Sequence, residues 1–232
     1  NRFILNSDGT KSNPPMTMLE QNIRSLNRFV DEIYIVDNGS TDGSEEVYKK
    51  YYYDNNLGRI TYLRKNDPDL KFDDVRDRRI MLDKAKERGM KWLLVVDGDE
   101  IYEDRAIDWI RKFCNENNPM EHFMVKFHYI NFWRSRNQYR TDRWFTSHFN
   151  RLFSLQDLQL GGTALHNYTF SFGSMHTNNI NSPYECLHYG WADWEHRVRK
   201  TERYIRRDME INGYSYERAK GIYAGDIDEN GL

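Results

Sequence analysis

The chain has 232 residues, with 34 Lys+Arg against 36 Asp+Glu and a formal net charge of -2. That balance creates no strong positive field, which argues against nucleic acid as a partner. Aromatic residues make up 15% of the chain, and a disordered polymer is poor in them, so the polar composition belongs to a folded protein.

The two cysteines, Cys114 and Cys186, form no CxxC pair and no framework. That pattern suits a reducing compartment, and the expected location is the cytoplasm. No apolar run approaches the roughly 20 residues of a membrane span.

In chain order, Phe3-Ile4-Leu5 reads as a strand leading into a polar loop, Asn6 to Pro15. Met18, Leu19, Ile23, Leu26 and Phe29-Val30 then recur at helical spacing. Ile33-Tyr34-Ile35-Val36 reads as a buried strand ending at Asp37, and the loop that follows leads to a helix opening at Ser44-Glu45-Glu46. Ile60 to Leu63 is the next strand, and a third helix runs from about Asp73 to Arg88 and stops at Gly89. The apolar run Trp92 to Val96 reads as a strand that ends in Asp97-Gly98-Asp99-Glu100.

Strands separated by helix-length connections imply a parallel α/β sheet, whose ligands bind beyond the carboxyl ends of the strands. Asp37 and the Asp97/Asp99 pair both fall at that edge. Further on, Phe123 to Ile130 and Arg143-Trp144-Phe145 suit antiparallel strands, and residues 155–187 read as loop-rich. A charged helix follows from Trp191 to Glu210, with Trp191, Trp194, Val198, Ile205 and Met209 on one face. The expected organisation is a single domain over 1–232: a nucleotide-binding half over 1–120, then an acceptor half with a C-terminal helix over 121–232.

Asp97-Gly98-Asp99 is the sharpest chemical feature. Two carboxylates one residue apart, just past an apolar strand, repel each other unless a cation or donors offset them. A hard divalent ion shared with a diphosphate resolves the repulsion, because carboxylate and phosphate oxygens both suit Mg²⁺ or Mn²⁺. The competing reading is an acidic turn that caps a helix starting near Asp104. Asp37 likewise ends an apolar strand and can accept from a ribose hydroxyl or a base N–H, or simply close an Asx turn. Neither GxGxxG nor GxxxxGK[ST] occurs.

Asp31-Glu32-Ile33-Tyr34-Ile35-Val36-Asp37-Asn38-Gly39-Ser40-Thr41-Asp42-Gly43-Ser44 resembles the signature loop of family-2 glycosyltransferases. Trp92 to Glu100 resembles their DxD motif, and Phe72-Asp73-Asp74-Val75-Arg76-Asp77-Arg78 is similar to the arginine-bearing segment before it. His188-Tyr189-Gly190-Trp191, then Arg199-Lys200-Thr201-Glu202-Arg203-Tyr204, resembles the C-terminal stretch of one branch. The resemblance implies a GT-A-like α/β fold of the nucleotide-diphosphosugar transferase type, with a mixed central sheet flanked by helices and a C-terminal helical cap. It implies a metal-dependent transferase using Mn²⁺ or Mg²⁺. The donor is a nucleotide-diphosphate sugar, UDP-linked, and the acceptor is a hydroxyl of a glycan or glycoconjugate. By the same resemblance Asp37, Arg76, Arg78, Asp97 and Lys200 contact the nucleotide, and Asp99, Asp97 and His188 serve the metal.

The chain departs from the family pattern in two places. No Lys-Asn-Glu follows the opening strand, where Asn6, Ser7 and Asp8 stand instead. In the resembling branch a His-Glu pair that supplies its candidate base follows Arg-Leu-Phe, whereas here Arg151-Leu152-Phe153 is followed by Leu165-His166-Asn167. An inverting transferase needs a carboxylate to take the acceptor's proton. Glu100, Asp142 and Glu185 are the candidates, and inversion and retention stay open. The basic helix suits a solvated face, closure over the diphosphate, or peripheral contact with an anionic membrane. Two alternatives accompany the transferase: a haloacid-dehalogenase-like phosphatase, suggested by Asp97-Gly98-Asp99-Glu100-Ile101, and a non-catalytic sugar-binding module.

Overall fold

The computed structural model describes residues 17–37, 39–40, 42–53, 59–64, 74–141, 147–164, 167–173 and 176–223. The expected strand Phe3-Ile4-Leu5, the residues Asn6, Ser7 and Asp8, and the candidate base Asp142 lie outside these. The chain divides into two compact units, one of residues 1–128 and 148–186, the other of 129–147 and 187–232.

In the first unit, helix α1 (Met18–Asn27) starts at a capping box. Thr17 Oγ1 accepts from the Glu20 N–H at 3.1 Å, and Glu20 Oε2 accepts from the Thr17 N–H at 3.0 Å. Strand β1 (Glu32–Asp37), helix α2 (Ser44–Tyr53) and strand β2 (Arg59–Arg64) form a βαβ unit. The strands are parallel as expected, with Ile33 opposite Ile60 and Asp37 opposite Arg64. Ile23 and Leu26 of α1 pack with Ile33, Tyr51 and Ile60 into one core cluster.

Helix α3 (Asp74–Glu87) ends at Gly89, whose φ of +68° is the left-handed conformation that suits glycine after a helix. Strand β3 is only Trp92–Leu94, shorter than its apolar run, although the Val95 N–H still donates to the Arg151 carbonyl at 2.8 Å. Strand β4 (Glu100–Tyr102) then leads to helix α4 (Asp104–Glu116). The long antiparallel strands are β5 (Phe123–Asn131) and β6 (His148–Ser154).

Residues 155–187 are not loop-rich: they form β7 (Leu158–Ala164), β8 (Asn167–Phe172) and β9 (Asn178–His188). Alternation explains this. Leu158 and Leu160 of β7, with Phe170 and Phe172 of β8, are buried beside Phe153, Val95 and Leu82 of the larger core, while the residues between them face outward. Among the described residues the largest sheet has five strands in the order β3-β6-β5-β9-β4, and β3 lies antiparallel to β6. Parallel pairing of β1 with β2 and antiparallel pairing here make the α/β architecture mixed.

One irregularity in that sheet matters for the site. The β5–β6 pairing steps from Val125–Leu152 to Lys126–Asn150 and passes over Arg151. Arg151 is the extra residue of a β-bulge, a device that re-aims a side chain.

The second unit contains helix α5 (Trp194–Asn212) and a further helix, α6 (Tyr216–Tyr223), that the sequence reading did not anticipate. Gly213, at φ +64°, turns the chain between them, and the Tyr223 hydroxyl donates to Asp208 Oδ2 at 2.9 Å. The indole of Trp133 carries two guanidiniums, Arg140 at 4.5 Å and Arg197 at 4.4 Å from the ring centroid. Among the described residues no helix is long and apolar enough to cross a membrane.

Candidate active site

The apolar β3 segment delivers Asp97 to the start of a turn, where the Glu100 N–H donates to the Asp97 carbonyl at 3.1 Å. The turn is bound from three directions. Arg78 of α3 donates from Nη2 to Asp97 Oδ1 at 3.0 Å, and Arg151 of β6 donates from Nη2 to Asp97 Oδ2 at 2.8 Å. The same Arg151 nitrogen donates to Glu100 Oε1, and Glu100 Oε2 accepts from the Asp97 N–H at 3.1 Å. On the third side Asn22 of α1 donates from Nδ2 to the carbonyls of Asp97 at 3.2 Å and Glu100 at 2.6 Å.

Burial raises the Asp97 pKa, but the two guanidiniums outweigh it and hold the carboxyl well below the usual carboxylate range. Asp97 is therefore a fixed anion with both oxygens engaged. Asp99, one residue beyond Gly98, stands half-buried on the same turn.

Asp37 closes β1 and is buried, with Oδ1 accepting from the Ser40 N–H at 2.9 Å and the Ser40 hydroxyl at 2.7 Å. This is Asx-turn geometry, and it rigidifies a loop whose Gly39 and Gly43 have φ of 82° and 88°. Next to it Tyr48 is raised well above a free phenol, by burial first and then by the charges of Asp37 and Asp42. Asp42 Oδ1 accepts from the Ser44 N–H at 3.2 Å, so it starts α2.

The remaining candidates are scattered. Arg76 lies beside its neighbour Asp77, Nε to Oδ1 at 3.4 Å, while Arg78 reaches Asp97. Glu100 is 1% exposed and engaged at both carboxylate oxygens. Glu185 is half-buried on β9, and its charge acts on Arg105 of α4. His188 and Lys200 belong to the second unit. There His188 Nδ1 lies 2.7 Å from Asn131 Oδ1, a contact that orients the ring. Lys200 Nζ sits over the Trp191 ring at 4.8 Å.

Asn22 and Arg151 were not among the sequence candidates, yet both grip the turn. Asn22 did leave a signal, as a polar residue among Leu19, Ile23 and Leu26 on the apolar face of α1. Arg151 stood in the Arg151-Leu152-Phe153 match to the resembling branch, but that match gave it no partner, because the bulge that aims it depends on strand pairing.

A Cβ at Gly98 would lie 3.8 Å from Leu19 Cδ1, an ordinary contact, so nothing among the described residues demands glycine there. Among the described residues no three His, Cys, Asp or Glu side chains converge as a metal cage.

No curated protein matches the chain. The family model of glycosyl transferase family 2 matches residues 16–178, a span that contains α1, the Asp37 loop, the Asp97–Glu100 turn and Arg151. By that match, which covers more than half of the chain, this protein is a glycosyltransferase of GT-A fold and belongs to glycosyl transferase family 2.

Proposed function

We propose that this glycosyltransferase moves a hexose from a UDP-linked sugar to a hydroxyl of a glycan or glycoconjugate, and that it works with Mn²⁺ or Mg²⁺. One observation carries the reading: Asp97 is neutralised by two arginines, and a second acid, Asp99, stands on the same tight turn. The donor set is hard, made of carboxylate oxygen without thiolate, and it fits Mg²⁺ or Mn²⁺ bound by one or two carboxylates plus phosphate oxygens and water.

In this assignment Asp99 holds the metal and Asp97 anchors the turn. When bound, the ion offsets the charge that develops on the departing diphosphate. Asp37, fixed by Ser40, presents a carboxylate to the nucleoside, and Arg78 adds positive charge at the turn. Gly98 leaves the backbone open to a close phosphate.

Glu100 acts as a positioning residue, because its buried carboxylate is committed to Arg151 and the Asp97 N–H. The proton acceptor for an inverting reaction then falls to Asp142 or Glu185. By the family resemblance alone, His188 is assigned to the metal or diphosphate and Lys200 to the diphosphate.

Calorimetry with UDP, with and without Mn²⁺, tests the reading. Tight binding only with metal, lost in Asp99→Asn, is the expected result. Metal-independent binding that survives Asp99→Asn overturns it. A panel of UDP, GDP, CMP and dTDP sugars scored by nucleotide release identifies the donor.

A further inference from the structure

Asn22 occupies a position that folding alone would give to an apolar residue. It is buried on the face of α1 that also presents Leu19, Ile23 and Leu26. A buried carboxamide is costly unless its donors are used. Here both amide hydrogens of Nδ2 have carbonyl partners, Asp97 at 3.2 Å and Glu100 at 2.6 Å, and those carbonyls mark the two ends of one turn.

The helix that carries Asn22 is itself fixed. Its Glu20 closes the capping box and accepts from Lys50 Nζ at 2.8 Å and from the Tyr51 hydroxyl at 3.3 Å, both on α2. Arg24 Nε donates to the Tyr51 hydroxyl at 2.8 Å. Polar bonds thus lock α1 to the helix that follows the Asp37 loop, and a further pair locks it to the Asp97–Glu100 turn.

We infer that Asn22 is a positioning residue: its carboxamide fixes the backbone of the turn and, through it, the direction of the Asp99 carboxylate. Arg78 and Arg151 hold the Asp97 side chain, and Asn22 holds the main chain. The inference rests on the reading of Asp99 as the metal residue. It extends the site to a helix that approaches no substrate through this side chain.

The test compares Asn22→Leu and Asn22→Asp with Asp99→Asn. The readouts are calorimetric UDP affinity with and without Mn²⁺, melting temperature, and donor KM against kcat. Leu keeps the branching at Cγ without donors, and Asp keeps the shape but turns a carboxylate toward two carbonyl oxygens. Both variants should lower the metal-dependent gain in UDP affinity by roughly 10–100-fold, the usual cost of losing an outer support of a metal ligand, with Asp the worse. Asn22→Leu with a lowered melting temperature but wild-type metal dependence makes Asn22 a packing residue and overturns the inference. If Asp99→Asn keeps the metal-dependent gain, the metal reading falls and this inference falls with it. If Asp99→Asn loses the gain and Asn22→Leu does not, this inference alone falls. Should the Asn22 variants fail to fold, hydrogen exchange on the wild-type protein decides. The Glu100 amide should be protected like the core of β3, and exchange at the rate of an open loop overturns the proposal.

Discussion

Asp97 and Arg151 lie 54 residues apart in the chain and meet at 2.8 Å, Oδ2 to Nη2. The same guanidinium holds Glu100, so one arginine from a late strand ties both ends of an early turn. The side chains of Arg151 and Glu100 are 7% and 1% exposed, which takes their pairing out of the weak surface regime.

Removing one partner of a buried pair leaves a charge without compensation, at a cost of about 3–5 kcal/mol. Arg151→Met should therefore lower the unfolding free energy by about that amount, as measured by urea titration. Arg151→Lys should restore only part, since an ammonium cannot reproduce the fork of the guanidinium. A loss well under 1 kcal/mol in Arg151→Met would show that the pair contributes little.

Glu20 sets an acid limit. Burial raises its pKa, but the bonds from Lys50, Thr17 and Tyr51 lower it further than burial raises it, and the net shift is downward from 4.5. A depressed carboxyl stabilises the fold above its unfolded pKa and loses that contribution as pH falls through the folded value. Stability measured from pH 6 down to pH 3 should fall more steeply in the wild-type protein than in Glu20→Gln. Parallel curves for the two proteins would contradict this.

Asp37 holds its turn by accepting from the Ser40 N–H and hydroxyl, and substitutions at the two residues separate the turn from binding. Asp37→Ala should weaken UDP binding by about 1–3 kcal/mol, the range for a partner left unsatisfied. Ser40→Ala should change it much less, because the backbone N–H of Ser40 still holds the turn. Equal losses in the two variants would reduce Asp37 to a loop residue.

His188 is oriented by Asn131, Nδ1 to Oδ1 at 2.7 Å. Nitrogen suits Mn²⁺ better than Mg²⁺, so His188→Ala should depress Mn²⁺-supported turnover more than Mg²⁺-supported turnover. Asn131→Ala should act in the same direction and more weakly. Equal losses with both metals, together with a lower melting temperature, would assign the ring to packing.

The first half of the fold was legible because its punctuation is local. Gly89 stops α3, Met18, Leu19, Ile23 and Leu26 mark α1 by their spacing, and the apolar run Ile33 to Val36 ends at an acid. β7 and β8 were missed because Gly161, Gly162 and the Asn and Ser residues around them imitate loop composition, while the buried alternation among the described side chains rests on Leu158, Leu160, Phe170 and Phe172. α6 has a single buried residue, Ala219, and so shows little helical stripe.

At the site, the acids and Arg78 were readable from the sequence, and how the other supports engage them was not. Asp37, Asp97 and Asp99 announce themselves at strand ends. Arg151 and Glu100 become partners only once strands from distant parts of the chain lie side by side. Asn22 was readable in principle, since a single amide among leucines and isoleucines at helical spacing demands an explanation.

The bulge at Arg151 makes segment length and active-site charge a single variable. His148, Phe149 and Asn150, just before it, are exposed, so their identities constrain Arg151 less than the count of residues does. Deleting any one of them would let the ladder close regularly and turn Arg151 away from Asp97, although no residue at the turn had been altered. Tolerance to substitution and intolerance to insertion or deletion therefore coexist within four residues. In a library of variants this stretch would stand out by its gaps, not by its letters.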